Sequence, residues 1–179
     1  MKFKMTLCMA LMAALAVVTG CKTIPDKETV GQRAYAAGLA AGYAASLIPK
    51  ITPEVKTNTV VIVTLVERCV PEEGKTVKET WTPVINEAIQ TLISKGKLTE
   101  EEAVLVRGAT DLATSGIDFL LAKHPEWADD EVVINTAIKQ ACLGFRTGIG
   151  INPNNEEVTK LVEEIMDKET FLSLTAHKK

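Results

Sequence analysis

Residues 60–66 read Val60-Val61-Ile62-Val63-Thr64-Leu65-Val66, and the state of this run decides the fold class. Its β-branched side chains favour extended backbone, and periodicity cannot separate strand from helix over so short an apolar run. The flanking residues do separate them. Thr52-Pro53-Glu54 is a helix start, with a capping hydroxyl, a proline in the first turn and an acid near the positive helix end. The chain has no second run of comparable strand character, and a lone strand leaves its backbone N–H and C=O groups unsatisfied. The segment 53–69 is therefore predicted to be helical, and apolar enough to lie at the centre of a bundle.

The same punctuation divides the rest of the chain. All seven prolines fall where helices can begin or end. Between these marks the apolar spacing predicts six helical stretches, at 26–48, 53–69, 76–95 with Pro83 near its middle or at a restart, 99–123, 129–146 and 153–174. The last is the most strongly patterned: Val158, Leu161, Val162, Ile165, Met166 and Leu172 line one face, and Glu156, Glu157, Lys160, Glu163, Glu164, Asp167 and Lys168 the other. Thr99-Glu100-Glu101-Glu102 is a capping box, in which the threonine oxygen meets the amide of Glu102 and that carboxylate reaches back. Its three glutamates thus mark a helix start rather than an acid/base or metal site.

The first of these stretches is uncharged from Ala34 to Ile48 and places Ala34, Gly38, Gly42 and Ala45 or Ser46 along one ridge. Gly38-Leu39-Ala40-Ala41-Gly42 is a GxxxG, a spacing that lets two helix backbones approach closely. Packing inside the domain is the expectation, with self-association and contact with lipid as rivals. Tyr35 and Tyr43, eight residues apart, would rim that contact. Gly144-Phe145-Arg146-Thr147-Gly148-Ile149-Gly150 resembles a phosphate-binding loop only superficially, since it lacks the lysine and follows a helix. It is expected to end that helix, with Gly148 or Gly150 left-handed. Trp81 and Trp127 are the largest apolar anchors, for the core or for a surface hot spot.

With 179 residues, of which 46 % are apolar and 24 % charged, the chain is long and apolar enough for one ordinary domain. Its 20 basic and 23 acidic residues give a net charge of −3, and aromatics make up 4 %. That balance argues against nucleic acid, which asks for a basic footprint and stacking platforms.

The amino terminus is of another kind. Met1-Lys2-Phe3-Lys4 is followed by an apolar run and then by small residues, the layout of a secretory signal peptide. From Met5 to Gly20 the run is sixteen residues, short of the roughly 17–25 that span a bilayer. Its ending, Val18-Thr19-Gly20-Cys21, resembles the lipobox of bacterial lipoproteins. The resemblance covers residues 1–21 and implies that the Cys21 thiol receives a diacylglyceryl group, that the chain is cut before it, and that the new amino terminus is acylated. Two or three acyl chains, at about 0.8 kcal/mol per buried methylene, hold far more firmly than one myristoyl chain. Lys22 stands where an aspartate would retain such a protein in the inner membrane, so the resemblance implies an outer-membrane address facing the periplasm.

Processing of that kind removes two lysines and no acid, leaving 18 basic against 23 acidic residues and a net charge of −5. Cys8 leaves with the leader and Cys21 carries lipid, so Cys69 and Cys142 remain in a compartment that permits disulfides. A Cys69–Cys142 bridge is expected, with two separate buried thiols as the alternative. It would close a span of 73 residues, worth about 4 kcal/mol on chain entropy.

Catalytic constellations are lacking. The two histidines, His124 and His177, build no zinc motif, and no serine among Ser46, Ser94, Ser115 and Ser173 sits in a nucleophile elbow. Glu72-Glu73-Gly74 reads as an acidic turn and Asp129-Asp130-Glu131 as a helix cap, neither having calcium-loop spacing. The chain is thus read as an all-α bundle of five to seven helices in three parts: a signal peptide over 1–20, a lipidated tether over 21–26 and a single helical domain over 27–179. No cofactor, metal or catalysis is expected. The expected partners are the bilayer, through acylated Cys21, and an envelope protein. A carrier or sensor holding an apolar ligand between helices is the alternative, and an enzyme built on carboxylates such as Glu67 or Asp118 is a third.

Overall fold

A computed structural model of the protein describes residues 27–69, 77–123, 125, 130–152 and 155–167. Among these residues there are six helices and no strand: α1 Lys27–Ser46, α2 Pro53–Glu67, α3 Val77–Ser94, α4 Glu100–Lys123, α5 Glu131–Ile149 and α6 Glu156–Met166. The all-α expectation holds, and the β-branched run of 60–66 is helical.

Local chemistry accounts for that run. Thr52 caps α2 by accepting from the Val55 amide at 3.2 Å, and Pro53 fills the first turn. Within α2, the Thr59 and Thr64 hydroxyls each donate to the carbonyl four residues back at 2.8 Å, so these polar β-branched residues carry no unsatisfied group into the interior. Val55, Val60, Val61, Ile62, Val63, Leu65 and Val66 are all buried. At roughly 1.5–3 kcal/mol for each large apolar side chain removed from water, this burial outweighs the weak helix propensity of valine. The helix packs against α3, α4, α5 and α6 and forms the centre of the bundle.

Two polar anchors fix its ends. Asn58 donates to the carbonyl of Lys97 at 2.8 Å, tying α2 to the turn between α3 and α4. Trp81, fully buried on α3, donates its indole N–H to the carbonyl of Cys69 at 2.7 Å. Trp81 is thus a core residue; Trp127 lies outside the described residues. The expectation that each proline marks a helix boundary is corrected at Pro83, which sits inside an uninterrupted α3, exposed on its outer side. At α4 the capping box is formed in full: Glu102 N–H donates to Thr99 Oγ1 at 3.2 Å and Thr99 N–H to Glu102 Oε2 at 2.9 Å.

Helices α1 and α5 make the most extensive contact in the fold. They run parallel: Gly31 faces Thr136 and Gln140, while Gly42 faces Phe145 and Ile149. The expected end of the fifth helix at 146 is corrected here, because α5 continues through Gly148 to Ile149 and only Gly150 is left-handed, at φ 82°. Gly144 and Gly148 therefore serve as helix-packing residues, as Gly38 and Gly42 do. A Cβ placed at Gly38, Gly42, Gly144 or Gly148 would meet a carbonyl oxygen of the facing helix at 1.9, 2.1, 2.1 or 2.2 Å. Two GxxxG motifs interlock, and the close approach belongs to the interior of one chain.

Candidate functional site

Of the residues singled out from the sequence, Cys21, Glu72, Glu73, His124, Asp129, Ser173 and His177 lie outside the described residues. Asp130 is the cap of α5 and accepts from the amides of Val132 and Val133 at 2.9 and 3.2 Å, the role its position implied. Ser46 and Ser94 donate to carbonyls three residues back and face no base.

The expected Cys69–Cys142 bridge is corrected: both are buried thiols, and no disulfide joins them. Cys69 follows the last turn of α2, where its carbonyl accepts from Trp81, and Cys142 lies in the middle of α5. Burial pushes the Cys142 thiol well above its ordinary range; the Glu67 charge adds to the rise and Arg146 opposes it. Such a thiol is neither a nucleophile nor a thiolate ligand.

Those neighbours form the most buried charged contact among the described residues. Arg146 on α5 pairs through Nη1 with Glu67 at the end of α2, their side chains 9 % and 21 % exposed. Arg146 Nε has no hydrogen-bond partner. Sequence spacing cannot bring together two residues 79 positions apart, and the signal available was only that each interrupts an apolar helix face. Asp118, the other carboxylate considered for chemistry, is elsewhere. Burial pushes its carboxyl up, and Lys78 partly offsets this through its charge and a backbone hydrogen bond. Glu67 is thus committed to an arginine and Asp118 to the α3 side of α4.

Little room for a ligand is left between α1, α4 and α5. A cleft lined by Ala37, Gly38, Ala41, Gly116, Cys142 and Phe145, among others, has a volume of about 10 Å³, the least that admits a single water. Among the described residues, no cluster of His, Cys, Asp or Glu could hold a metal ion, and no helix is long and apolar enough to cross a membrane.

The outer surface is more distinctive. Five large hydrophobic side chains are exposed among the described residues, and four of them, Leu39, Tyr43, Val132 and Leu143, belong to the α1/α5 pair. The fifth, Val104, is on α4. Compared with family models, with curated proteins and with solved structures, the chain matches none.

Proposed function

We propose that the protein is a lipid-anchored module of the bacterial cell envelope, a helical bundle held at a membrane surface through acylated Cys21 and engaged with an envelope protein. The observation that carries this reading is the leader, with its two lysines, its short apolar run and the Val18-Thr19-Gly20-Cys21 ending. The layout behind it is compatible: α1 begins at Lys27, six residues past the cysteine, so the globule follows the anchor on a short tether. Lys22 favours the outer membrane, facing the periplasm.

Anchoring would fall to the acyl chains, because an overall acidic domain is repelled by anionic headgroups. The cleft between α1, α4 and α5 has room for about one water, so an apolar ligand would need another place between the helices. Metabolic labelling with a palmitate analogue tests the anchor: the wild-type chain takes label and Cys21→Ser does not. Equal label on both, or none on wild type, would reject it. Cross-linking in intact cells then tests the partner, and recovery of one stoichiometric envelope protein is the expected result.

A further inference from the structure

Charge is unevenly distributed over the bundle. Although the chain holds 23 acidic residues, none occurs from 29 to 53 or from 132 to 155, stretches that contain nearly all of α1 and α5. The charges they do carry are basic: Arg33, Lys50, Lys139 and Arg146. Of these Lys50 and Lys139 are exposed, while Arg146 is buried against Glu67. The acids crowd elsewhere, as at the start of α4 and on the outer side of α6.

The exposed apolar residues lie on the same pair of helices. On α5, Val132, Lys139 and Leu143 follow one another at helical spacing along the outward stripe. On α1, the backbone of Leu39 touches Gly144 and Gly148 and that of Tyr43 touches Gly148, so both residues border the seam beside that stripe. Leu39, Tyr43, Val132 and Leu143 are 37, 57, 55 and 36 % exposed. The glycine ridge is spent on helix contact, and this is a different face.

We propose that the outward α1/α5 face rests on the phospholipid leaflet that holds the acyl chains of Cys21. The inference rests on the lipidation proposed above. Reach supports it: the six residues from Cys21 to Lys27, at 3.3–3.6 Å each, extend to about 20 Å. Leu39 is twelve residues into α1, about 18 Å along its axis. A tether that long lets α1 lie along the leaflet instead of standing on it. Charge supports it as well: beyond Glu28, Asp130 and Glu131 at the amino-terminal ends of the two helices, the stretches 29–53 and 132–155 carry no acid and the outward stripe carries the exposed Lys139, so this is the side of an acidic globule that anionic headgroups repel least. Leucine and valine would meet the acyl boundary, Tyr43 the headgroup level and Lys139 the phosphates. The acidic face of α6, with Glu156, Glu157 and Glu163, is not part of this surface and stays available in water.

The test uses the mature protein extracted from membranes and placed in vesicles of phosphatidylethanolamine and phosphatidylglycerol with a diazirine-bearing phospholipid. Photolabel should concentrate on peptides of α1 and α5. Leu39→Glu/Tyr43→Glu/Leu143→Glu, all at exposed positions, should keep the acylated amino terminus and the helical circular dichroism spectrum while its α1 and α5 label falls to the level of α3. Val104→Glu should keep the wild-type pattern. An acylated protein labelled as strongly on α3 and α6 overturns the face and leaves the anchor standing. An unacylated amino terminus overturns both.

Discussion

The carbonyl oxygen of Ala141 lies over Gly38 so closely that a Cβ on residue 38 would sit 1.9 Å from it. This contact and its three counterparts at Gly42, Gly144 and Gly148 bring two parallel helices nearly backbone to backbone, and they set the sign of glycine substitutions. Alanine is the better helix former by up to about 1 kcal/mol, and Gly108, where an added methyl would have nothing within 4 Å, should show that gain. Gly38→Ala or Gly148→Ala forces the facing backbone away and should lose about 1–3 kcal/mol net. Urea denaturation of the three variants checks the opposite signs.

Glu67 and Arg146 bind α2 to α5 from inside. Glu67→Gln leaves a buried guanidinium without its counter-charge and should cost about 3 kcal/mol. Replacing both, as in Glu67→Leu with Arg146→Met, should recover most of that loss, since no uncompensated charge remains. A double-mutant cycle by chemical denaturation measures the coupling; additive losses would mean that the pair contributes nothing jointly.

Two carboxylates should respond to acid with opposite signs. Hydrogen bonds from the Thr99 backbone and hydroxyl hold Glu102 below its ordinary value of 4.5. Its contribution is present above that value and lost as pH falls through the lowered pKa. Asp118 is raised by burial above 3.8, so its ionisation costs stability above the raised pKa, and that cost is gone below 3.8. At pH 7, Glu102→Gln should therefore be less stable than wild type and Asp118→Asn more stable, by a few tenths of a kcal/mol at these partly solvated sites. Thermal denaturation repeated toward pH 3 should show both differences shrinking.

Cys142 should be chemically silent in the folded chain. Its thiol is buried and held protonated, so iodoacetamide should modify it only at the rate of unfolding and promptly in denaturant. Peptide mass spectrometry gives the rate at Cys142, and a Cys69–Cys142 linked peptide from non-reduced protein would contradict the two-thiol arrangement.

Helix positions were legible in the sequence wherever a local device sets them. Thr52-Pro53, Thr99 with Glu102, and Asp130 each act on amides within three residues, so their roles appear in linear order. Contacts between distant segments were not. Gly144-x-x-x-Gly148 has the same spacing as Gly38-x-x-x-Gly42, yet beside Gly150 it reads as a helix end, because pairing two motifs requires knowing that α1 meets α5. The thiols show the same gap: permitted by compartment and number, a bridge between Cys69 and Cys142 depends on tertiary geometry, and the fold buries each without joining them. The exposed α1/α5 face was hidden for a related reason, since its residues come from two helices about one hundred positions apart.

The anchor is the claim on which the rest of the functional account stands, and tandem mass spectrometry of the amino-terminal peptide from membrane-extracted protein addresses it directly. The account predicts a chain that begins at Cys21 and carries a diacylglyceryl thioether with an acylated α-amine. A chain that still begins at Met1, or one with an unmodified Cys21 thiol, would contradict it.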